Sequence, residues 1–120
     1  MTTILVVDDE YLIADILSFA LEDEGFMVVT ASNGRKGLDV LERERPALII
    51  TDFMMPVMDG LEFATAVRAL PSANDLPIIL MSGAQAHIGM QTSDLFDAVL
   101  EKPFNIDSII AEVKKLLATD

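Results

Sequence analysis

The chain has 120 residues, 52% of them hydrophobic, and no cysteine; it can bury one sizeable core and can form neither a disulfide nor a thiolate metal site. Twenty acidic against eight basic residues give a formal net charge of −12, which repels phosphate backbones and anionic lipid and so argues against direct nucleic-acid or membrane binding. No basic segment precedes the first apolar run, and no run approaches the roughly 20 residues that a bilayer crossing needs; one soluble, cytoplasmic domain over residues 1–120 is expected.

The first apolar run, Ile4 to Val7, is short, branched and continuous, and Asp8 and Asp9 close it. Such a run is expected as a strand buried on both faces. Glu10 is read as part of the first helical turn, after which Ile13, Ile16, Leu17, Ala20 and Leu21 recur at helical spacing up to Gly25, a C-terminal capping residue. Met27 to Val29 is the second strand. Gly34, Gly37, Leu38 and Leu41 make a weaker helical stripe that stops before Pro46. Ala47 to Ile50 is the third strand, and Ala64, Val67 and Leu70 mark a helix between an N-cap at Asp59 and a stop at Pro71. Ile78 to Met81 is the fourth strand. A fourth helix is expected over Gln85–Thr92, although that stretch holds Gly89 and little periodicity. Ala98 to Leu100 is the fifth strand. Ile106, Ile109, Ile110, Val113, Leu116 and Leu117 give the cleanest stripe, with Lys114 and Lys115 near the negative end of that helix. Met27, Met81, Phe19 and Phe104 are read as packing residues, and His87 as an exposed helix residue. Five alternations of strand and helix predict a parallel sheet with helices on both faces.

Ligands of open parallel sheets bind beyond the carboxyl ends of the strands, so the residues that close the runs belong together. They are Asp8 and Asp9 with Glu10 next, Thr51 and Asp52, Ser82 and Gly83, and Glu101, Lys102 and Pro103. Three carboxylates on one edge repel one another until a proton or cation intervenes. Hard oxygen ligands with room for water suit Mg²⁺. Lys102 and the Ser82 hydroxyl add donors for phosphoryl oxygens, and a carboxylate such as Asp52 can attack phosphorus. The set suffices for phosphoryl transfer to aspartate.

Four stretches carry a resemblance along nearly the whole chain: Ile4–Glu10 (ILVVDDE), Leu48–Gly60 (LIITDFMMPVMDG), Ile79–Ala84 (ILMSGA) and Glu101–Phe104 (EKPF). Together they resemble the receiver domains of bacterial two-component response regulators. The resemblance implies an α/β, flavodoxin-like, doubly wound five-stranded parallel sheet in order 2-1-3-4-5, with five helices on its two faces. It implies Asp52 as phosphoacceptor, with Mg²⁺ held by Asp52, by Asp9 directly, by Asp8 through water and by the backbone carbonyl of Met54. Lys102 and Ser82 would then contact the phosphoryl group, and the Lys102–Pro103 bond would be cis. A sensor histidine kinase or phosphotransfer protein is the implied donor and a downstream effector protein the implied reader, with the domain a monomer or a phosphorylation-dependent dimer.

The chain departs from the family in places. Val99 stands where most receivers have Tyr or Phe, the stretch from Ser82 to Lys102 is short, and the Gly-Ala that usually precedes the fifth strand is missing. Met54 and Ala84, which flank the path of the hydrolytic water, are both apolar. Two other classes compete: a phosphorylation-independent interaction module, which Val99 favours, and an aspartyl-phosphate enzyme, which would need a second acid where Met54 stands. An output domain is not expected within residues 1–120, and a stand-alone regulator, a relay intermediate and a fragment all fit.

Overall fold

In the computed structural model, residues 2–83 and 93–118 are described. Five strands form a single parallel sheet in the order β2-β1-β3-β4-β5: β1 Thr3–Val7, β2 Met27–Ala31, β3 Leu48–Asp52, β4 Ile78–Ser82 and β5 Ala98–Glu101. The strand order agrees with the expected one. Four helices pack on it: α1 Tyr11–Asp23, α2 Gly34–Glu44, α3 Gly60–Arg68 and α4 Ile106–Leu117.

The sheet explains why its sequence runs are continuously apolar. Successive side chains point to opposite faces. Leu5, Val7, Ile49, Ile78 and Leu80 therefore join Val40, Leu41, Phe63 and Val67 of α2 and α3 in one core. Ile4, Val6, Leu48, Ile50, Ile79 and Met81 join Ala14, Leu17, Leu21, Ile109 and Val113 of α1 and α4 in the other. An outer face left to solvent would have shown alternation instead.

The expectation of five helices is corrected: there are four α-helices among the described residues. The segment assigned to the missing one, Gln85–Thr92, lies outside them, as does His87. After it the chain makes a short 3₁₀ turn, Ser93–Leu95, before entering β5. Its sequence offered no apolar stripe of the kind that marks the other helices, so the alternation of strands alone had suggested a helix there.

The packing assignments are corrected in part. Met81 is fully buried in β4, but Met27 is exposed, because β2 is an edge strand with a single neighbour. Phe19 is 70% exposed and Ile16 is exposed as well, so the apolar stripe of α1 is narrower than its sequence spacing suggested. Phe104 is half-buried against the α1/α4 core.

Helix ends follow their predicted chemistry. Gly25, at φ 96, follows the α1 C-cap; its N–H donates to Glu22 O and that of Phe26 to Leu21 O, closing a Schellman pair. Asp59 caps α3 in a reciprocal box: Glu62 N donates to Asp59 Oδ1 at 2.8 Å and Asp59 N to Glu62 Oε1 at 3.0 Å.

The loop ahead of this cap contains a backbone defect. Val57 has φ 70 and its side chain is exposed. A β-branched residue in the left-handed region costs ~1–2 kcal/mol, here in a turn closed by Met58 N donating to Pro56 O at 2.7 Å. We expect Val57→Asn to raise the urea midpoint by an amount equivalent to about 1 kcal/mol; an unchanged midpoint would contradict the strain.

Candidate functional site

The residues that close the strands converge because the parallel register leaves all their carboxyl ends on one edge. Val7 pairs with Thr51, Asp52 with Met81, and Ser82 with Glu101. Backbone bonds carry the order past the strand ends: Asp8 N donates to Ala31 O at 3.0 Å, Phe53 N to Met81 O at 3.0 Å and Lys102 N to Ser82 O at 2.7 Å. The side chains of Asp8, Asp52 and Lys102 thus spring from rigid backbone.

Asp8 and Asp52 are only 2% and 5% exposed, and Ser82 is wholly buried. Lys102 Nζ lies 3.0 Å from Asp52 Oδ1 and 3.8 Å from Glu10 Oε1. The Phe53 N–H also donates to Asp52 Oδ1, at 3.0 Å. Both donors fall on the same oxygen, so Oδ2 of Asp52 is without a protein partner among the described residues. Glu10 N donates to Asp8 Oδ1 at 2.9 Å, while Asp8 Oδ2 and Ser82 Oγ are buried with no partner among the described residues. Buried polar atoms left in this condition are costly, and an ion or an ordered water can complete their bonding.

Asp8, Glu10 and Asp52 each bring an oxygen within 4.8 Å of the other two. Burial, followed by the charges of Asp52 and Glu10, pushes the Asp8 carboxyl up to about 6, against the hydrogen bond from Glu10 N and the charge of Lys102. Burial also raises Asp52, although Lys102 works against it. Burial tends to lower the Lys102 ammonium, but its bond to Asp52 and the charges of Asp52, Asp8 and Glu10 outweigh this and leave it above the usual lysine value. The lysine stays charged and the carboxyls are held in an environment short of positive charge. This donor set, hard, anionic and with one buried oxygen unsatisfied, fits a small divalent cation such as Mg²⁺.

The raised Asp8 value fixes a sign. The folded state holds this proton more tightly than the unfolded chain, whose carboxyl titrates near 3.8. The associated stability is complete below that pH and is lost as pH rises towards about 6. We therefore expect wild type, relative to Asp8→Asn, to lose stability between pH 4 and 7 in urea titrations without metal, and saturating Mg²⁺ to restore much of it at pH 7. Parallel pH curves for the two proteins would contradict this.

The family model of the response regulator receiver domain matches residues 4–114. The chain belongs to that family. The receiver domain is 34% identical over 117 residues to the response regulator MprA of Mycolicibacterium vanbaalenii, covering 95% of this chain and 49% of MprA. It is 48% identical over 79 residues to an uncharacterized 14.6 kDa protein of Leptolyngbya boryana, covering 66% of this chain and 60% of that one. The chain thus spans about half to three-fifths of the length of these curated relatives. Among solved structures it is similar to the response regulator TrrA of Thermotoga maritima in complex with Mg²⁺-BeF, with TM-score 0.87, 37% identity and coverage of 98% and 100% of the two chains. It is also similar to the chemotaxis response regulator CheY4 of Vibrio cholerae, with TM-score 0.88, 32% identity and coverage of 98% and 99%.

Of the residues singled out in the sequence, Asp8, Asp52 and Lys102 are brought together in the receiver domain. Ser82 sits one pairing from Lys102, its hydroxyl without a partner among the described residues. Asp9 is exposed and outside the close carboxylate group, although its charge raises the Asp52 carboxyl. The Met54 side chain is exposed. The Lys102–Pro103 bond is cis. Val99 packs against the α2/α3 core, where Phe96 is also buried. Ala84 lies outside the described residues. Glu10 was misplaced: it is the N-cap of α1, not part of its first turn, and it joins the acidic group. Its signal was its place directly after the Asp pair.

Proposed function

We propose that this receiver domain is a phosphorylation switch whose acceptor is Asp52. The observation that carries the reading is the division of labour on that carboxylate: Oδ1 is held by Lys102 and the Phe53 amide, and Oδ2 has no partner among the described residues. Asp52 Oδ2 forms a bond to phosphorus while the donor's P–N bond breaks, giving an acyl phosphate and returning the imidazole to the donor. The Lys102 ammonium follows the negative charge from Oδ1 to a phosphoryl oxygen. The Ser82 hydroxyl, which has no partner among the described residues, donates to a second. Asp8, Asp9 and Asp52, with the Met54 carbonyl, would hold Mg²⁺, which when bound neutralises phosphoryl charge. The domain catalyses only its own phosphorylation and the hydrolysis of the product. Its donor is a sensor histidine kinase or phosphotransfer protein and its reader an effector protein. It works in the cytoplasm as a monomer or as a dimer formed on phosphorylation.

Titration with Mg²⁺ and beryllofluoride, followed by amide shifts, tests the reading. Saturable shifts at β1, β3 and Lys102 are expected; an unresponsive spectrum would favour a phosphorylation-independent interaction module. The resemblance to receiver domains puts Met54 and Ala84 at the positions that flank the path of the hydrolytic water, and apolar side chains at both cannot orient it. Phosphorylated wild type should therefore have a longer half-life than Met54→Asn and Ala84→Glu; an equally rapid decay in all three removes the idea.

A further inference from the structure

Glu10 occupies a capping position without capping. It is the N-cap of α1, yet its side chain makes no bond to the orphan N–H groups of the first turn. Asp, Asn, Ser and Thr satisfy those donors at this position and Glu does not rank among them. Where a local rule is broken, another use of the side chain is the place to look.

The Glu10 carboxylate is turned instead to the edge of the sheet. Its Oε1 lies 3.8 Å from Lys102 Nζ, and it completes the group in which Asp8, Glu10 and Asp52 have oxygens within 4.8 Å of one another. A second observation points to a missing ligand at the same place. Asp8 is 2% exposed, and its buried Oδ2 has no partner among the described residues. One ammonium cannot balance three carboxylates, so the group remains short of positive charge.

We propose that Glu10 is a cation-binding residue of this site, adding its carboxylate to those of Asp8 and Asp52 for a hard divalent ion. The inference rests on the reading of the site as Mg²⁺-dependent, and it concerns metal capture before any phosphoryl group arrives. Glu10 is exposed, so it can meet a hydrated ion at the rim, while buried Asp8 cannot. The pairing with Lys102 holds the carboxylate at the rim in the metal-free protein.

Two substitutions separate this role from helix capping. Glu10→Gln keeps size and removes charge. Glu10→Asp keeps charge, shortens the reach and supplies a good N-cap. In calorimetric Mg²⁺ titrations of the whole domain, we expect Glu10→Gln to weaken binding by about tenfold, the scale for losing a supporting metal contact. Glu10→Asp should also weaken it, while its urea midpoint rises. Binding within twofold of wild type in Glu10→Gln overturns the proposal, whatever the midpoints do. If that result accompanies wild type that binds Mg²⁺ and is phosphorylated on Asp52, only the role of Glu10 falls. If wild type itself ignores Mg²⁺, both the role and the functional reading fall.

Discussion

Asp52→Asn will gain no phosphoryl mass from acetyl phosphate in Mg²⁺, whereas wild type will gain one. The substitution is close to isosteric and leaves a side-chain oxygen to accept the Phe53 amide, which now bonds Asp52 Oδ1 at 3.0 Å. It removes the anionic oxygen that attacks phosphorus. Loss of a nucleophile costs up to ~10⁶-fold in rate, so the product should fall below detection by intact-mass measurement. The protein should remain folded, because Asp52 caps no helix and the β3 ladder is made by backbone groups. Lys102 loses its closest partner and keeps Glu10, now at 3.8 Å. Equal phosphorylation of Asp52→Asn and wild type would mean that another residue accepts the group, and the functional reading would fail.

Gly60→Ala is expected to destabilise the domain by about 3 kcal/mol, the upper part of the usual range for overpacking. A Cβ on Gly60 would sit 2.3 Å from Asp52 O and 2.9 Å from Phe53 Cα. Both are backbone atoms, so no flexible side chain can swing away. The same approach is tied by Gly60 N donating to Phe53 O at 2.8 Å, and the Thr51 hydroxyl donates to Asp52 O at 3.0 Å. Relief must come from moving either the start of α3 or the end of β3, and the second displaces Asp52. Weaker Mg²⁺ binding should therefore accompany the lower urea midpoint. Gly83→Ala is the control, since a Cβ there meets nothing within 4 Å among the described residues. If the two variants unfold at the same denaturant concentration, the close approach does not support the site as described.

The strands and most helices were legible because each left a one-dimensional trace. Residues buried on both faces had to be apolar in succession, as in Ile78–Met81, and Asp59 and Gly25 carried the chemistry of helix ends in their own side chains or lack of one. Phe19 and Ile16 misled because apolar character at helical spacing does not say how wide a face the neighbours cover. Met27 misled because nothing in its run announces an edge. Glu10 was legible only as an acid after two acids; its capping position without a capping bond is a matter of backbone angles and side-chain direction.

The sequence by itself determined the alternation of elements and the chemical types at the strand ends, because burial and backbone chemistry act residue by residue. The tertiary structure decided which of those groups meet: Asp8, Glu10 and Asp52 within reach of one another, Asp9 outside, and two donors on one oxygen of Asp52. Those outcomes depend on strand register and on where α1 begins, which are properties of packed elements and not of any local pattern.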